Sequence, residues 1–177
     1  MGMDNAIKEL QKLKATATYE KKKQYNAADR HRNYHNWLQI AVIAISAING
    51  SALIALLKLG VVWFGYISAS FSLLSAVLVG IQKFVKFDQV AERNHDAGDQ
   101  FLQLIKEIEM AVALYKDTGD QCRFVAACET LTKRYGEIVA MAKNAPTNEK
   151  DYAAARQGIE NGEESYSAAD MNIGNQA

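Results

Sequence analysis

The sequence predicts an all-α fold: a two-transmembrane helical hairpin continued into a cytoplasmic helical bundle or stalk. Two long uncharged stretches stand side by side, separated by a single lysine. Apolar residues recur at helical spacing before and after them, which indicates amphipathic helices. The chain contains one proline and no Asn-Gly turn between alternating apolar runs, so strands have little support.

Charge is divided into blocks along the 177 residues, although 20 basic residues balance 20 acidic ones. Residues 1–36 carry eight Lys or Arg against four Asp or Glu, a net charge of +4. Residues 37–81 carry only Lys58, and residues 82–177 carry eleven basic against sixteen acidic side chains, a net of −5. Such blocks are typical of a segmented protein rather than a uniform globule.

The first element is a predicted N-terminal amphipathic cytoplasmic helix over residues 1–36. Ile7, Leu10, Leu13 and Ala17 give it a thin apolar stripe. No glycine or proline separates this polar helix from the apolar stretch that follows, so the helix should continue into it.

Two transmembrane helices are predicted over residues 37–57 and 61–81, joined by a short non-cytoplasmic turn over residues 58–60. The runs "WLQIAVIAISAINGSALIALL" and "LGVVWFGYISASFSLLSAVLVGI" both reach the roughly 20 residues needed to cross a bilayer. Buried helices of a soluble protein seldom stay apolar for so long. Lys58 would lift its ammonium to the headgroup layer, or alternatively form a charged ring at a pore mouth.

Basic flanks predict that both termini of this multi-pass membrane protein are cytoplasmic. Short loops rich in Lys and Arg stay on the cytoplasmic side. The flanking basic residues are Lys21, Lys22, Lys23, Arg30, Arg32, Lys83 and Lys86.

Cytoplasmic helices are predicted over residues 82–158. The first continues the second span to about residue 115, with an apolar stripe that includes Phe84, and a second spans residues 122–143 with Val125 on its apolar face. Thr147 can cap a short last helix, and residues 159–177 have the composition of a disordered tail. Cys122 and Cys128 lie roughly 9 Å apart along a helix, beyond disulfide reach, and are interpreted as buried thiols.

The spans carry polar and small residues at helical spacing. Gln39, Ser46, Asn49 and Gly50 share one face of the first span, and polar residues at membrane depth must face protein or water. Small residues that permit close helix packing recur every four positions; they are Ser68, Ser72, Ala76 and Gly80 in the second span and Ala47, Ser51 and Ala55 in the first. The polar face is therefore either an interhelical hydrogen-bonding seam or, with Lys58, the lining of an aqueous path in an oligomer.

Other site types find little support. His31 and His35 share a helical face, as zinc ligands can, but a metal site needs a third ligand. In the predicted hairpin, His95 would lie more than two turns from His31, whereas Asp88 would lie near the depth of the histidine pair. A solvated face or a pH sensor explains the pair better, so no metal and no cofactor are predicted.

No phosphate loop or catalytic order is visible, so no enzyme is predicted. Lys21–Lys23 suit lipid headgroups or topology better than nucleic acid, and no nucleic acid partner is expected.

The chain resembles the SLATT domains, two-span effector domains associated with SMODS nucleotidyltransferases and SLOG domains. The motifs that carry the resemblance are "YNAADRHRNYHNW" before the spans, "FVKFDQVAERNHDAGDQFLQLIKEIE" after them, then "YGEIVAMAKNAP" and "DYAAAR". The resemblance covers residues 1 to about 158. It implies a bacterial defence effector that assembles in the inner membrane and opens pores when a partner enzyme makes a nucleotide second messenger.

The leading hypothesis is thus an oligomeric pore-forming effector of an anti-phage defence system, gated through its cytoplasmic helices by a nucleotide second messenger or a separate sensor protein. Its partners would be membrane lipid and further copies of itself, because two helices cannot enclose a pore. The alternative is a non-conducting membrane anchor that recruits cytoplasmic partners. A phage holin fits the two spans but not the long structured tail.

Overall fold

A computed structural model describes residues 3–59 and 62–164 of the chain. These residues are almost entirely helical and contain no strand, as the predicted all-α fold requires. The five helices are α1 (Met3–Leu59), α2 (Val62–Val85), α3 (Phe87–Thr118), α4 (Gln121–Ala142) and α5 (Glu149–Glu160). Of the turn predicted over residues 58–60, Lys58 and Leu59 belong to α1, and Gly60 lies outside the described residues. Residues 165–177 of the predicted tail also lie outside them.

The chain divides into two compact units. The hairpin unit comprises Asp29–Ala91, and the bundle unit comprises the residues up to Ala28 together with those from Glu92 onward. Each unit has its own packing and is described by itself.

Two helical segments are long and apolar enough to cross a membrane. Asn5–Ile54 and Trp63–Thr118 each contain an 18-residue window with a mean hydropathy of 1.8. Only 6% of the first window and none of the second is buried. A core helix of a soluble protein would be mostly buried, so these apolar faces need a covering of lipid or of another protein.

A one-residue break at Lys86 separates α2 from α3, where the sequence predicts one continuous helix. The φ angle of Lys86 is 50°, in the left-handed region that non-glycine residues rarely adopt. The flanking turns remain bonded, because the Lys86 amide donates to the Gln82 carbonyl and the Val90 amide donates to the Lys86 carbonyl, each at 3.1 Å. No residue type at this position signals the break, since lysine is an ordinary helix former.

The bundle unit has an apolar core built from α1, α3 and α4. Phe101, Leu104 and Ile108 of α3 lie at its centre and are almost completely buried. Leu10 and Ala17 of α1 pack into the same cluster, in agreement with the predicted stripe. Polar side chains of the two helices also meet, since Lys14 of α1 pairs with Glu109 of α3 at 2.6 Å. Further along α1, Tyr25 bonds Asp99, which comes earlier on α3, so the two helices are antiparallel neighbours here.

Three side chains that the sequence places on buried faces are exposed in the structure, namely Phe84, Val125 and Cys122. Phe84 is 90% exposed, and its stripe reaches the bundle core only further along α3. On α4, Phe124 is buried and Val125 is exposed, so the apolar face is rotated by one residue at the start of the helix. Cys122 is exposed rather than buried, because it lies on the outer side of that first turn, whereas Cys128 is half-buried.

Side-chain caps fix the start of the last two helices. The Asp120 carboxylate accepts a hydrogen bond from the Arg123 amide at 3.0 Å and begins α4. Asn148, not Thr147, caps α5 through a reciprocal capping box with Asp151. The helix ends at Glu160, and a turn through Gly162 continues to Glu164, so residues 159–164 are ordered although they fall within the predicted disordered tail.

Candidate functional site: the polar seam of the hairpin

The two apolar helices are joined by a small polar cluster, here called the polar seam, formed by Asn49, Ser68 and Ser72. The Asn49 amide Nδ2 donates to the Ser72 hydroxyl at 2.7 Å. The Ser68 hydroxyl donates to the Asn49 Oδ1. One asparagine side chain therefore bonds two serines one turn apart on α2, which satisfies its donor and its acceptor within the hairpin.

The contact face of the hairpin follows helical spacing. Partly buried residues recur every three to four positions on both helices. On α1 they are Leu38, Ala41, Val42, Ile45, Asn49 and Ala52, and on α2 they are Phe64, Gly65, Ser68, Phe71, Ser75, Leu78 and Val79. The contact is thus mostly apolar, with the polar seam near its middle.

The predicted pore-lining residues separate into different environments. Asn49 faces α2, whereas Ser46 and Gly50 are exposed, and a Cβ built on Gly50 meets nothing within 4 Å. Gln39 is exposed, and its Nε2 lies 2.8 Å from the His35 Nε2 one turn earlier on α1. The side chain of Lys58 lies outside the described residues. The structure therefore brings Asn49 to the seam and leaves Ser46 and Gly50 on the outer surface.

The predicted small-residue positions are used only in part within one hairpin. Ser68 and Ser72 join the polar seam, but Ala76 and Gly80 are exposed, and a Cβ on Gly80 would meet nothing within 4 Å. Ala47 and Ser51 are exposed too, and the Ser51 hydroxyl donates to the Ala47 carbonyl of its own helix at 3.0 Å. Ala55 lies outside the residues whose side chains are described. Packing of these positions against another copy stays a prediction.

The basic flank residues divide in the same way. Arg32, Lys83 and Lys86 are exposed beside the apolar helices, and Arg30 is partly buried. Lys21, Lys22 and Lys23 belong to the bundle unit, where each contacts a glutamate. The three ion pairs are Lys21–Glu164, Lys22–Glu163 and Lys23–Glu20.

A second polar contact, which the sequence reading missed, joins α1 and α3 in the bundle unit. The Tyr25 hydroxyl donates to the Asp99 carboxylate at 2.7 Å, and His95 Nδ1 lies 3.4 Å from the other carboxylate oxygen. The rings of Tyr25 and His95 are 5.3 Å apart. Gly98 makes this possible, because a Cβ there would come within 2.6 Å of the Tyr25 ring. In the sequence, the glycine inside a helical pattern could have indicated this contact, because such a glycine often has a packing reason.

Burial, followed by the hydrogen bond and the charge of Asp99, raises the pKa of Tyr25 well above its ordinary value. The tyrosine therefore stays a neutral hydrogen-bond donor across the physiological range. Its role here is to fix the packing of α1 on α3.

The histidines near the first span contact aromatic rings and an amide. His31 lies 6.1 Å from the Phe87 ring, and Tyr34 lies 6.0 Å from the same ring. Within the described part of the chain, no group of three or more His, Cys, Asp or Glu is placed to hold a metal ion. The prediction that the chain uses no metal remains a prediction.

Comparison with known proteins supplies the family. The model of SMODS and SLOG-associating 2TM effector domain family 4, abbreviated SLATT_4, matches residues 7–170, which is most of the chain. Neither the curated proteins nor the solved structures give a match. The apolar helices and the two-transmembrane description agree that this is a membrane protein. The match confirms the resemblance on which the predicted function rests, and the chain belongs to the SLATT family of two-transmembrane effector domains.

Proposed function

We propose that the protein is an oligomeric pore-forming effector of a bacterial anti-phage defence system. The family description gives the general role, that of a two-transmembrane effector. Pore formation is our proposal for how this effector acts. No catalytic residue is part of the proposal.

The observation that carries the proposal is the outer surface of the hairpin beside the polar seam. Ser46 and Gly50 are exposed on α1, and Ala76 and Gly80 are exposed on α2. Polar groups in hydrocarbon face protein or water, and small residues allow helices to approach closely. A ring of hairpins would cover both kinds of position, with the polar side chains toward water and the small ones between copies.

The proposed orientation places both termini in the cytoplasm and the spans in the inner membrane. Arg32 before the first span and Lys83 and Lys86 after the second are exposed, so their charges are available to hold those flanks on the cytoplasmic side. The bundle unit would then be cytoplasmic.

Gating would act through the bundle unit. The family description names SMODS and SLOG as associated components, so the trigger we propose is a nucleotide second messenger or a partner sensor protein. Such a ligand can open the assembly only if it binds the open arrangement more tightly than the closed one.

One observation favours a second candidate, a non-conducting anchor. Asn49 satisfies its hydrogen-bonding groups within its own hairpin. This polar residue of the first span therefore has both a donor and an acceptor partner without another copy. In this alternative, the spans tether the bundle unit, and the bundle recruits cytoplasmic partners.

Substitution of Ser46 tests the pore. Ser46 and Ile43 are both exposed on α1, three residues apart. We expect Ser46→Leu to reduce the membrane depolarisation that expression causes, because it replaces a polar lining position, whereas Ile43→Leu should depolarise cells as the wild type does. A potential-sensitive dye reports both. If Ser46→Leu depolarises fully, the lining assignment is wrong.

Ion flux from liposomes separates the two candidates. The pore predicts that the reconstituted protein forms cross-linkable oligomers and releases ions when its trigger is added. Protein that inserts and oligomerises but never leaks, with or without extracts of phage-infected cells, would support the anchor.

A further inference from the structure

The end of α5 is fastened to α1 by two ion pairs. Lys21 Nζ lies 2.6 Å from a Glu164 carboxylate oxygen, and Lys22 Nζ contacts the Glu163 carboxylate. The partners are more than 140 residues apart in sequence. This contact, formed by Lys21, Lys22, Glu163 and Glu164, is here called the clasp.

Two glycines shape the clasp. A Cβ on Gly158 would come within 2.5 Å of the Lys22 Cε and Nζ and within 2.6 Å of the Glu163 carboxylate. Glycine at this position therefore lets the lysine lie against the backbone of α5. Gly162 has a φ of 81°, a left-handed conformation that glycine adopts without strain, and it turns the chain so that Glu163 and Glu164 follow directly.

The lysines are more enclosed than the carboxylates they hold. The side chains of Lys21 and Lys22 are 11% and 13% exposed, whereas those of Glu164 and Glu163 are 31% and 61% exposed. The two lysines thus lie within the bundle surface, and the two carboxylates cover them from the solvent side. A carboxylate in this position occupies a place that any other anion could take.

The first half of α5 is held separately. The Asn26 side chain donates to the Asp151 carbonyl at 3.2 Å, and Tyr19 stacks on Tyr152 with ring centroids 6.4 Å apart. These contacts do not involve the clasp. Opening the clasp would therefore free the end of α5 and leave its beginning attached.

We propose that Lys21 and Lys22 form a binding site for a multivalent phosphate group, which the chain's own Glu163 and Glu164 occupy as a competing internal anion. Lysine binds phosphate as a point charge, and a multivalent phosphate offers more charge and more acceptor oxygens than one carboxylate. Binding of such a group displaces the carboxylates and releases residues 156–164. The proposal stands whether or not the spans conduct ions.

Amide hydrogen exchange of the full chain in phosphatidylcholine nanodiscs tests the proposal, with inorganic triphosphate as the probe at constant ionic strength. We expect triphosphate to accelerate exchange at residues 156–160 by about five- to thirty-fold, the factor produced by losing one or two weak contacts. Amides of residues 151–153 serve as the internal reference and should not respond. Ion flux is not used, so failure here is distinguishable from failure of the pore.

Matched variants identify the site. Glu163→Gln/Glu164→Gln should exchange rapidly at residues 156–160 without triphosphate and bind triphosphate more tightly than the wild type. Glu137→Gln is the control, because Glu137 is an exposed carboxylate of α4 outside the clasp and outside the monitored segment, and it should behave as the wild type. Lys21→Gln/Lys22→Gln should exchange rapidly and bind no triphosphate.

Gly158→Ala gives a test that does not remove a charge. Alanine favours the helix by about 1 kcal/mol over glycine, yet its Cβ displaces Lys22, so exchange at residues 156–160 should accelerate while the helix content stays. Nanodiscs containing phosphatidic acid identify the source of the phosphate: acceleration there without triphosphate indicates a lipid headgroup, and acceleration with triphosphate alone indicates a soluble ligand. The proposal is overturned if Glu163→Gln/Glu164→Gln exchanges as the wild type does, or if triphosphate acts equally on Lys21→Gln/Lys22→Gln.

Discussion

Asn49 of α1 and Ser68 of α2 meet across the hairpin, and their residue numbers add to 117. The sequence predicts two antiparallel spans joined by a minimal turn, and in such a hairpin residues whose numbers add to about 117 lie at equal depth. The hydrogen bond between them therefore fixes the register of the two spans. Ser72, one turn further along α2, accepts a second bond from Asn49 and reinforces the same register.

Removing the seam should loosen the hairpin by a modest amount. A double-mutant cycle of Asn49→Ala and Ser68→Ala should give a coupling free energy of about 0.6 kcal/mol, the average for hydrogen bonds between membrane helices. Unfolding in mixed micelles measures it. Ser51→Ala is the control, because the Ser51 hydroxyl bonds its own helix; a coupling between Asn49 and Ser51 as large as that with Ser68 would contradict the seam.

Gly98 and Gly136 should respond in opposite directions to alanine. At Gly98 a Cβ collides with the Tyr25 ring, so Gly98→Ala should destabilise the protein by about 1–3 kcal/mol through overpacking. At Gly136, on the exposed side of α4, a Cβ meets nothing within 4 Å, and Gly136→Ala should stabilise by up to about 1 kcal/mol through helix propensity. Denaturant midpoints of both variants check this pair. Equal effects of the same sign would show that Tyr25 does not pack against Gly98.

Substitution by glycine should stabilise the protein at position 86 and destabilise it at position 83. Lys86→Gly removes a left-handed lysine and should stabilise by about 1 kcal/mol, because glycine adopts that conformation without steric cost. Lys83→Gly, the same change inside α2, should destabilise by about 1 kcal/mol. Free energies of unfolding in micelles compare them. Destabilisation by both would mean that the helix runs unbroken through residue 86.

The hydrogen bond of Tyr25 should make stability depend on pH in the alkaline range. Because the pKa of Tyr25 is raised in the folded state above its ordinary value of 10.0, the folded state holds the proton more tightly than the unfolded state. The stabilisation is therefore fully present below pH 10 and is lost as the pH rises toward the folded pKa. At pH 8, Tyr25→Phe should cost about 1 kcal/mol.

Thermal unfolding between pH 8 and pH 11 checks this prediction. The difference between the wild type and Tyr25→Phe should be constant up to about pH 10, the pKa of a free tyrosine, and shrink above it. Tyr152→Phe is the control, since Tyr152 is exposed. A difference that grows above pH 10 would reverse the sign of the argument.

Much of this fold can be predicted from the pattern of charged and apolar residues. The absence of charge over two spans, the apolar stripe of Leu10 and Ala17, and that of Phe101, Ile105 and Ile108 each predict a buried or lipid-facing side without knowledge of any partner. Asn49 could be identified as a polar residue that needs a partner at membrane depth. Which partner it has depends on the register, and the sequence alone left the seam and the aqueous path equally open.

The remainder depends on contacts between distant parts of the chain. Nothing local distinguishes Lys21 and Lys22, which bond Glu164 and Glu163, from Lys23, which bonds Glu20 one turn away. Within the bundle unit, the contact between Tyr25 of α1 and Asp99 of α3 likewise depends on packing that residue spacing does not give. No glycine or proline signals the break at Lys86.

The lysines of the clasp are synthesised before the glutamates that they pair with. A ribosome releases Lys21 and Lys22 long before it reaches Glu163 and Glu164, so during membrane insertion these two ammonium groups have no acidic partner from the end of the chain. In the proposed orientation with cytoplasmic termini, they would act on the nascent hairpin as unneutralised cations. The ion pairs with Glu164 and Glu163 would form only after the rest of the chain has been made.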